Sequence, residues 1–208
     1  MIRTILRTAC GSATLLLASA ALIASPPVSA STLENLQTAY NGESNANARY
    51  LAFAVQADKE GYGEVASLFR AAARAEKIHA MNHAAVIEEI GVTPKADVKN
   101  PVVKSTRENL EEAIKGETYE RDTMYPDFLK QARTDRNTRA VRTLNLAKSA
   151  ESEHAKLYVA ALADLGKLKG TKSTSFFVCP VCGFTAKDTS FAECPSCFTS
   201  KKDFEKVV

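Results

Sequence analysis

The hydrophobic residues of the chain follow a helical period over most of its length. From residue 32 to 166, apolar side chains recur at spacings of three and four, with Ala, Glu, Lys and Arg between them. This period places the apolar side chains on one face of a helix, so it predicts helical structure almost throughout. Few glycines and prolines interrupt it. They divide the region into four helices, at about 32–60, 63–90, 105–134 and 137–166.

The connections between these helices indicate how they pack. Gly61-Tyr62-Gly63 and residues 134–137 are short links, whereas residues 91–105 form a long one with two prolines and a glycine. Ser105 or Thr106 is expected to cap the third helix, and Pro126 is expected to bend it. Short, long and short connections predict an up-down four-helix bundle with one crossover, an all-α fold.

The first thirty residues have the composition of an export signal. Arg3 and Arg7 precede an apolar run at 13–24, and Val28-Ser29-Ala30 is a small-x-small cleavage pattern. A transmembrane anchor is the alternative, but the run is too short and Pro26-Pro27 follow it. We therefore expect residues 1–30 to be cleaved and the mature protein to begin near Ser31, in the periplasm.

The charge balance argues against polyanionic partners. The chain has a formal net charge of +3, and two of these charges lie in the expected signal, which leaves +1 for the rest. No second segment has the length and apolarity of a membrane span. We therefore expect neither nucleic acid nor, after signal cleavage, a membrane as a partner.

The bundle region contains an internal repeat. "NLQTAYNGES" (35–44) matches "NLEEAIKGET" (109–118), and "AEKIHA" (75–80) matches "AESEHA" (150–155). Each half is thus a helix pair with a lone Glu on its first helix and Glu-x-x-His on its second. Such repeats indicate two pseudo-symmetric halves.

The repeated residues form a candidate metal site. The four glutamates lie on apolar stripes, where unpaired charges would cost several kcal/mol, and converging carboxylates would repel one another. Two metal ions resolve both problems, with carboxylate and imidazole ligands from all four helices, as in ferritin-like carboxylate bundles. The predicted ligands are Glu43, Glu76, His79, Glu117, Glu151 and His154.

Two further positions stand next to this set. Glu120 follows Glu117 by three residues and shares its helix face, whereas the equivalent position of the first half is Ala46. Glu120 is therefore an additional oxygen ligand that makes the site asymmetric. His83 lies one turn past His79 without a partnering Glu, and is interpreted as an ordinary polar helix residue.

The composition changes after Gly166. A polar linker, 167–175, is expected to be flexible and leads to a small domain at 176–208 with four cysteines in the pattern C-x₂-C-x₁₁-C-x₂-C. In an exported protein two disulfides are the alternative, but the short loops, the prolines and Gly183 favour a tetrahedral metal site. Zinc and iron both accept four thiolates. The ligands would be Cys179, Cys182, Cys194 and Cys197.

Together these residues resemble the rubrerythrin family over residues 32–208. The resemblance implies a ferritin-like di-iron bundle followed by a rubredoxin-like iron domain. It implies that Glu76 and Glu151 bridge the irons and that His79 and Glu120 exchange as ligands when the oxidation state changes. The segment "ETYERDTMYPDF" (117–128) also resembles the family, and Tyr50 and Tyr125 match tyrosines that lie next to the metal ligands in the family.

The resemblance also implies a homodimer in which the four-cysteine iron serves the partner subunit's di-iron site. Two features depart from the family. Phe198 follows the last cysteine where such loops often have glycine, and the expected export signal would separate the protein from cytoplasmic pyridine-nucleotide reductases.

These features predict a peroxidase that reduces hydrogen peroxide to water with electrons relayed from a donor protein through the four-cysteine iron. A ferroxidase or iron-binding protein is the main alternative, since the bundle alone could oxidise ferrous iron. A third possibility is a four-cysteine domain that holds zinc and serves only for contacts.

Overall fold

The computed structural model describes residues 30–208, so the expected export signal lies outside the described residues except for Ala30. Its helices are α1 (Ala30–Lys59), α2 (Gly63–Glu89), α3 (Thr106–Tyr119), α4 (Tyr125–Thr134), α5 (Thr138–Ala163) and α6 (Leu165–Leu168). The fold class predicted from the sequence is confirmed. α1 packs on α2, α5 packs on α3 and α4, and α2 contacts α5 across the bundle.

The third bundle helix contains a π-helical segment, Glu120–Met124, between α3 and α4. Pro126 lies in the first turn of α4, where its missing N–H costs nothing, so the interruption precedes the proline. A π segment accommodates one extra residue. Glu117 accordingly follows Glu43 by 74 positions, whereas Tyr125 follows Tyr50 by 75. The two halves thus differ by one residue, placed at Glu120.

Side chains on α1 hold the crossover 91–105 in an extended path. Gln37, Asn41 and Asn45 are spaced one turn apart, so they share a helix face. Their amide groups bond to the backbone of every second crossover residue, at Thr93, Lys95, Asp97 and Lys99. At its end, Ser105 forms a capping box with Glu108, as one of the two expected caps.

Two apolar clusters divide the bundle along its axis. One includes Leu36, Ile87 and Leu144, and the other includes Phe53 and Phe69 with two tyrosines. On α1, α2 and α5, the repeated Glu and His positions fall between residues of the first cluster and residues of the second. The polar cluster therefore lies at mid-bundle, with packed apolar layers on both sides.

The C-terminal domain has a three-stranded antiparallel sheet in the order β2-β1-β3, with β1 at Phe176–Val178, β2 at Thr185–Ala186 and β3 at Glu205–Val207. A 3₁₀ turn, Lys201–Asp203, precedes β3.

The linker is fixed rather than flexible. Thr171 accepts hydrogen bonds from the backbone N–H groups of Gly63 and Glu64, and the Thr174 N–H donates to the Ser67 hydroxyl. Its first two residues belong to α6. The linker thus runs along the start of α2 in the same chain. Within residues 30–208, no helix has the length and apolarity needed to cross a membrane.

Candidate metal centres

The repeated Glu and His side chains meet at one buried point. Glu43 comes from α1, Glu76 and His79 from α2, Glu117 from α3, and Glu151 and His154 from α5. Each is at most 1% exposed. The Nδ1 atom of His79 lies 2.8 Å from Glu76 and 3.0 Å from Glu151, and that of His154 lies 2.9 Å from Glu151 and 3.3 Å from Glu76. The structure therefore brings all six residues of the repeat together.

Their potential ligand atoms form two overlapping groups. In one, Glu43, Glu76, His79 and Glu151 offer atoms within 4.8 Å of one another, and in the other, Glu76, Glu117, Glu151 and His154 do the same. Glu76 and Glu151 belong to both groups. This is the arrangement in which two shared carboxylates can bridge a pair of metal ions.

The polar atoms at this point need a cation. Eight carboxylate oxygens and imidazole nitrogens of these six residues are buried and make no hydrogen bond. Buried polar atoms without partners are rare in folded proteins, because each costs about 1–3 kcal/mol. Hard oxygen and borderline imidazole ligands fit iron or a similar divalent ion. The donor set and its unpaired atoms therefore fit two metal ions.

The hydrogen bond at Nε2, the ring nitrogen that points away from the carboxylates, fixes the tautomer of each imidazole. His79 Nε2 lies 3.0 Å from the carbonyl oxygen of Cys182, which can only accept, so Nε2 carries the proton. His154 Nε2 lies 3.1 Å from the Thr185 hydroxyl, which donates its own hydrogen to the Gly183 carbonyl. Both Nε2 atoms are thus donors. The Nδ1 lone pairs are left facing the carboxylates, ready for a metal ion.

The electrostatics without a cation are unfavourable. Burial, followed by the charge of Glu151, raises the pKa of Glu43 to about 8. Burial and the charges of Glu76 and Glu151 raise the pKa of Glu117 well above its usual range. Against the effect of burial, the nearby carboxylates raise the pKa values of His79 and His154. Without metal the cluster retains protons that bound cations would replace.

The two tyrosines expected from the family resemblance each bond to a carboxylate that belongs to only one of the two ligand groups, which we call a terminal carboxylate. Tyr50 donates a 2.5 Å hydrogen bond to Glu117, and Tyr125 donates a hydrogen bond to Glu43. Both rings are buried. These bonds hold one oxygen of each carboxylate and leave the other directed at the cluster.

His83 is not the ordinary polar residue expected from the sequence. It is fully buried, with Nε2 3.2 Å from the Tyr125 hydroxyl and Nδ1 3.0 Å from the Thr143 hydroxyl. Its position four residues after His79, on the same helix face, is the feature of the sequence that could have placed it near the site. Nothing in the sequence pattern indicates Thr143 as the partner of His83 or Thr185 as the partner of His154.

Glu120 stands apart from the six clustered residues. It lies in the π-helical segment, is partly exposed, and is not among the residues whose ligand atoms share the 4.8 Å groups. Burial of its carboxyl group and the charges of Glu43 and Glu117 raise its pKa. Glu120 thus follows the ligand Glu117 by about one helical turn, where the second half is one residue longer than the first.

The four cysteines form a second cluster. All four are free thiols with sulfur atoms within 4.8 Å of one another, and two pairs, Cys179 with Cys197 and Cys182 with Cys194, are 3.5 Å apart. A disulfide needs about 2.05 Å, so the cysteines are not paired by disulfides. Four converging sulfurs are the donor set of a tetrahedral zinc or iron site.

The two cysteine loops have the same turn with different residues. The N–H groups of Gly183 and Phe198 bond to the carbonyls of Cys179 and Cys194, and both residues have positive φ, +75° and +63°. Glycine adopts this conformation readily, whereas phenylalanine does not. Phe198 therefore occupies the conformation of a glycine, with its ring 75% exposed.

The cysteine domain docks on the bundle of its own chain. Arg74 forms a two-pronged ion pair with Glu205 at 2.5 and 2.7 Å, Lys187 pairs with Glu64, and Asn82 bonds to the Val181 carbonyl. Together with the contacts of His79 and His154, these place the two clusters side by side within one chain. This differs from the arrangement implied by the family resemblance, in which the four-cysteine iron serves the partner subunit.

The fold and its two donor clusters define a ferritin-like carboxylate bundle with a four-cysteine metal domain. A comparison with family models matches residues 34–162 to the rubrerythrin model. The chain belongs to the rubrerythrin family. The di-iron site of that family and a four-cysteine metal site are therefore features of this chain.

Individual relatives agree with this assignment. Nigerythrin of Nitratidesulfovibrio vulgaris is 42% identical over 76% of this chain and 77% of its own. Rubrerythrin-2 of Clostridium acetobutylicum is 38% identical over 85% of this chain and 96% of its own. A structure of fully reduced, all-ferrous nigerythrin has a TM-score of 0.79 and 38% identity, covering 89% of this chain and 91% of the nigerythrin chain.

Proposed function

We propose that this di-iron oxidoreductase is a peroxidase that reduces hydrogen peroxide to water. The observation that carries the proposal is the direct contact between the two metal clusters: His79 of the carboxylate cluster touches Cys182 of the cysteine cluster. The carboxylate cluster would be ligated by the six repeat residues, with Glu76 and Glu151 bridging. The cysteine cluster would hold one iron.

The bound irons would supply the electrons that break the O–O bond, two from the di-iron site, restored one at a time through the four-cysteine iron. The protein's own contribution begins with burial. Apolar layers on both sides of the carboxylate cluster exclude bulk water, which strengthens electrostatic interactions inside the site. Tyr50 and Tyr125 hold the terminal carboxylates in place through hydrogen bonds.

The contact between the clusters positions the relay. The Cys182 carbonyl accepts a 3.0 Å hydrogen bond from His79 Nε2. A ligand residue of the four-cysteine site is therefore joined directly to a ligand residue of the di-iron site. A Cβ built on Gly183 would lie 2.3 Å from His79 Nε2, so the approach depends on that glycine. The fixed linker and the Arg74–Glu205 pair hold the domains in this position.

Glu120 is the residue that we propose exchanges with His79 as a ligand. It lies beside the cluster in a π-helical segment, a feature that recurs at functional sites, and it has no carboxylate counterpart in the other half, where Ala46 is buried. We expect Glu120→Ala to retain both irons but to lose most peroxide turnover.

The test is anaerobic stopped-flow oxidation of the fully reduced protein by peroxide. One peroxide should oxidise the two-iron site, followed by loss of the reduced four-cysteine signal in the same protein. Glu120→Ala should slow the first step at least tenfold at unchanged iron content. Half-buried Glu153, on α5 and paired with Lys156 on the bundle surface, provides the control variant Glu153→Ala. Unchanged turnover in Glu120→Ala would contradict the exchange.

A ferroxidase is the second candidate, because the six-residue carboxylate cluster is complete without the cysteine domain. Analysis of the bound metals and a comparison of dioxygen with peroxide as the oxidant distinguish a ferroxidase from a peroxidase. Zinc in the four-cysteine site, with ferrous iron oxidised as fast by dioxygen as by peroxide, would favour the ferroxidase. Iron in that site and a preference for peroxide would favour the peroxidase.

We also propose that the protein works in the periplasm as a homodimer and receives electrons from a donor protein there. The support is the composition of residues 1–30 and membership of the family. N-terminal sequencing of protein from fractionated cells should give Ser31 as the first residue, and light scattering should give twice the chain mass. An uncleaved cytoplasmic chain would contradict the location.

A further inference from the structure

Beside the carboxylate cluster, a cavity of about 270 Å³ lies between α2, α5 and the cysteine domain. Its lining includes Asn82, Arg139, Arg142, Thr143 and Val181. The lining is mixed: Val86 and Leu146 are apolar, and the charged and amide groups provide partners for water. Among the lining residues, Thr143 connects the cavity to the protein interior, because its hydroxyl forms a hydrogen bond with the buried His83.

From Thr143 a continuous row of hydrogen bonds reaches Glu43. The Thr143 hydroxyl lies 3.0 Å from His83 Nδ1, His83 Nε2 lies 3.2 Å from the Tyr125 hydroxyl, and Tyr125 bonds to Glu43. His83 and Tyr125 are fully buried. No gap separates the cavity from the carboxylate cluster along this route.

The donors in this row all point toward the cluster. Glu43, ionised as a metal ligand, can only accept, so the Tyr125 hydroxyl donates to it. The Tyr125 oxygen then accepts from His83 Nε2–H, which leaves His83 Nδ1 as the acceptor for the Thr143 hydroxyl. Burial, followed by the charge of His79, lowers the pKa of His83 to about 3, which keeps this imidazole neutral.

We propose that Thr143, His83 and Tyr125 form a proton-delivery path from the cavity to the carboxylate cluster. This inference rests on the proposed peroxidase function. Reduction of one peroxide to two waters consumes two electrons, which the iron sites receive from the donor protein, and two protons. Each member of the path accepts a proton on its outer side and releases its own toward Glu43, so no member changes its net charge after the transfer. The Glu43 carboxylate would pass the proton on to a peroxide oxygen as the O–O bond breaks.

The other half of the bundle provides an internal comparison. Residues 75 positions apart correspond, so Tyr158 stands where His83 stands, and Leu68 where Thr143 stands. A cavity of about 250 Å³ lies there as well, lined by Leu68, Leu157 and Ala161 among others. The Tyr158 hydroxyl is buried and makes no hydrogen bond. Only one of the two equivalent cavities is therefore connected to the cluster.

Three variants test the path in the full-length, iron-loaded protein. His83→Gln keeps polar groups at both ends but cannot exchange protons between ring nitrogens, and Thr143→Val removes the outer hydroxyl at constant shape. Tyr158→Phe, on the unconnected side, is the matched control. We expect the first two to slow peroxide-driven oxidation at least tenfold and to increase its solvent deuterium isotope effect, with Tyr158→Phe unchanged.

A second measurement does not depend on turnover. In the zinc-loaded full-length chain, ¹⁵N spectra should show His83 protonated at Nε2 only, and exchange of this proton with water should slow at least tenfold in Thr143→Val.

Wild-type rates and isotope effects in His83→Gln and Thr143→Val would overturn the path, as would an Nδ1–H tautomer or unchanged proton exchange. Equal slowing by Tyr158→Phe would also overturn it. If the wild-type reduced protein does not react with peroxide, the proposed function fails instead, and the proton-exchange result still decides whether the path exists.

Discussion

The two sides of the carboxylate cluster start from equivalent positions and differ in their connections. On one side, which we name the Glu43 side, Tyr125 links Glu43 to His83, and His79 touches the backbone of a cysteine ligand. On the Glu117 side, Tyr50 bonds to Glu117 and the hydroxyl of the neighbouring Tyr158 has no partner. A repeated sequence has thus built one metal-binding core with two different surroundings.

The difference separates two requirements of the site. The residues that the repeat preserves, glutamates and histidines, are those that could hold metal ions. The residues that break the repeat, His83, Thr143 and Glu120, surround the Glu43 side. Binding two metal ions requires the same kinds of ligand on both sides of the cluster. Proton delivery and ligand exchange require additional residues on one side only.

The largest expected effect comes from a residue shared by both sides. Glu151→Ala removes a carboxylate that belongs to both four-residue ligand groups, so we expect the bundle to lose both irons while the cysteine site stays filled. Metal analysis per chain measures this, with Glu153→Ala as the control. Retention of one iron would show that Glu151 serves one side only.

The next effect starts at the contact between the cysteine domain and His79 on the Glu43 side. Gly183→Ala would place a Cβ 2.3 Å from His79 Nε2, too close for any packed pair, so the cysteine domain must move away. We expect re-reduction of the di-iron site by the four-cysteine iron to slow at least tenfold with all irons bound. Gly166→Ala is the matched control, since a Cβ there meets nothing within 4 Å. Equal rates in the two variants would place the electron route elsewhere, for example from the partner subunit.

The corresponding contact on the Glu117 side should act on metal binding instead. Thr185→Val removes the hydroxyl that accepts a hydrogen bond from His154 Nε2. Loss of such a partner typically lowers metal affinity by about 10–100-fold, because the imidazole is less basic and less well oriented. Competition with a chelator measures the affinity. We expect the relay rate to stay within about twofold, and a larger loss of relay than of affinity would contradict the division between the sides.

Much of this arrangement could be predicted from the sequence. Apolar spacing predicts the helices, and the repeated Glu and Glu-x-x-His segments predict a cluster at mid-bundle, because helix periodicity alone decides which face a residue occupies. The same spacing puts His83 on the helix face of His79, but it could not predict the hydrogen bonds of His83 to Tyr125 and Thr143, which join three different helices. Nor could it predict the fixed linker, whose hydrogen bonds join Thr171 to Gly63 across more than a hundred residues.

The smallest effect tests the second cysteine loop, where the sequence departs from the family pattern. Phe198 has a φ of +63°, a conformation that costs a side-chain-bearing residue roughly 1–2 kcal/mol and glycine nothing. Because the ring is 75% exposed, its removal sacrifices little packing. Phe198→Gly should therefore stabilise the metal-loaded chain, by up to about 1 kcal/mol once the greater freedom of glycine in the unfolded state is included.

Chemical denaturation of the metal-loaded protein measures this change, and Gly183→Ala, at the same turn of the first loop, should shift stability in the opposite direction. A loss of stability in Phe198→Gly would mean that the exposed ring has a partner, such as a second subunit or the electron donor. In that case the phenylalanine is retained for contact rather than for the turn, and the two cysteine loops differ in the same way as the two sides of the bundle: they share the metal-binding geometry, and one of them carries an additional role.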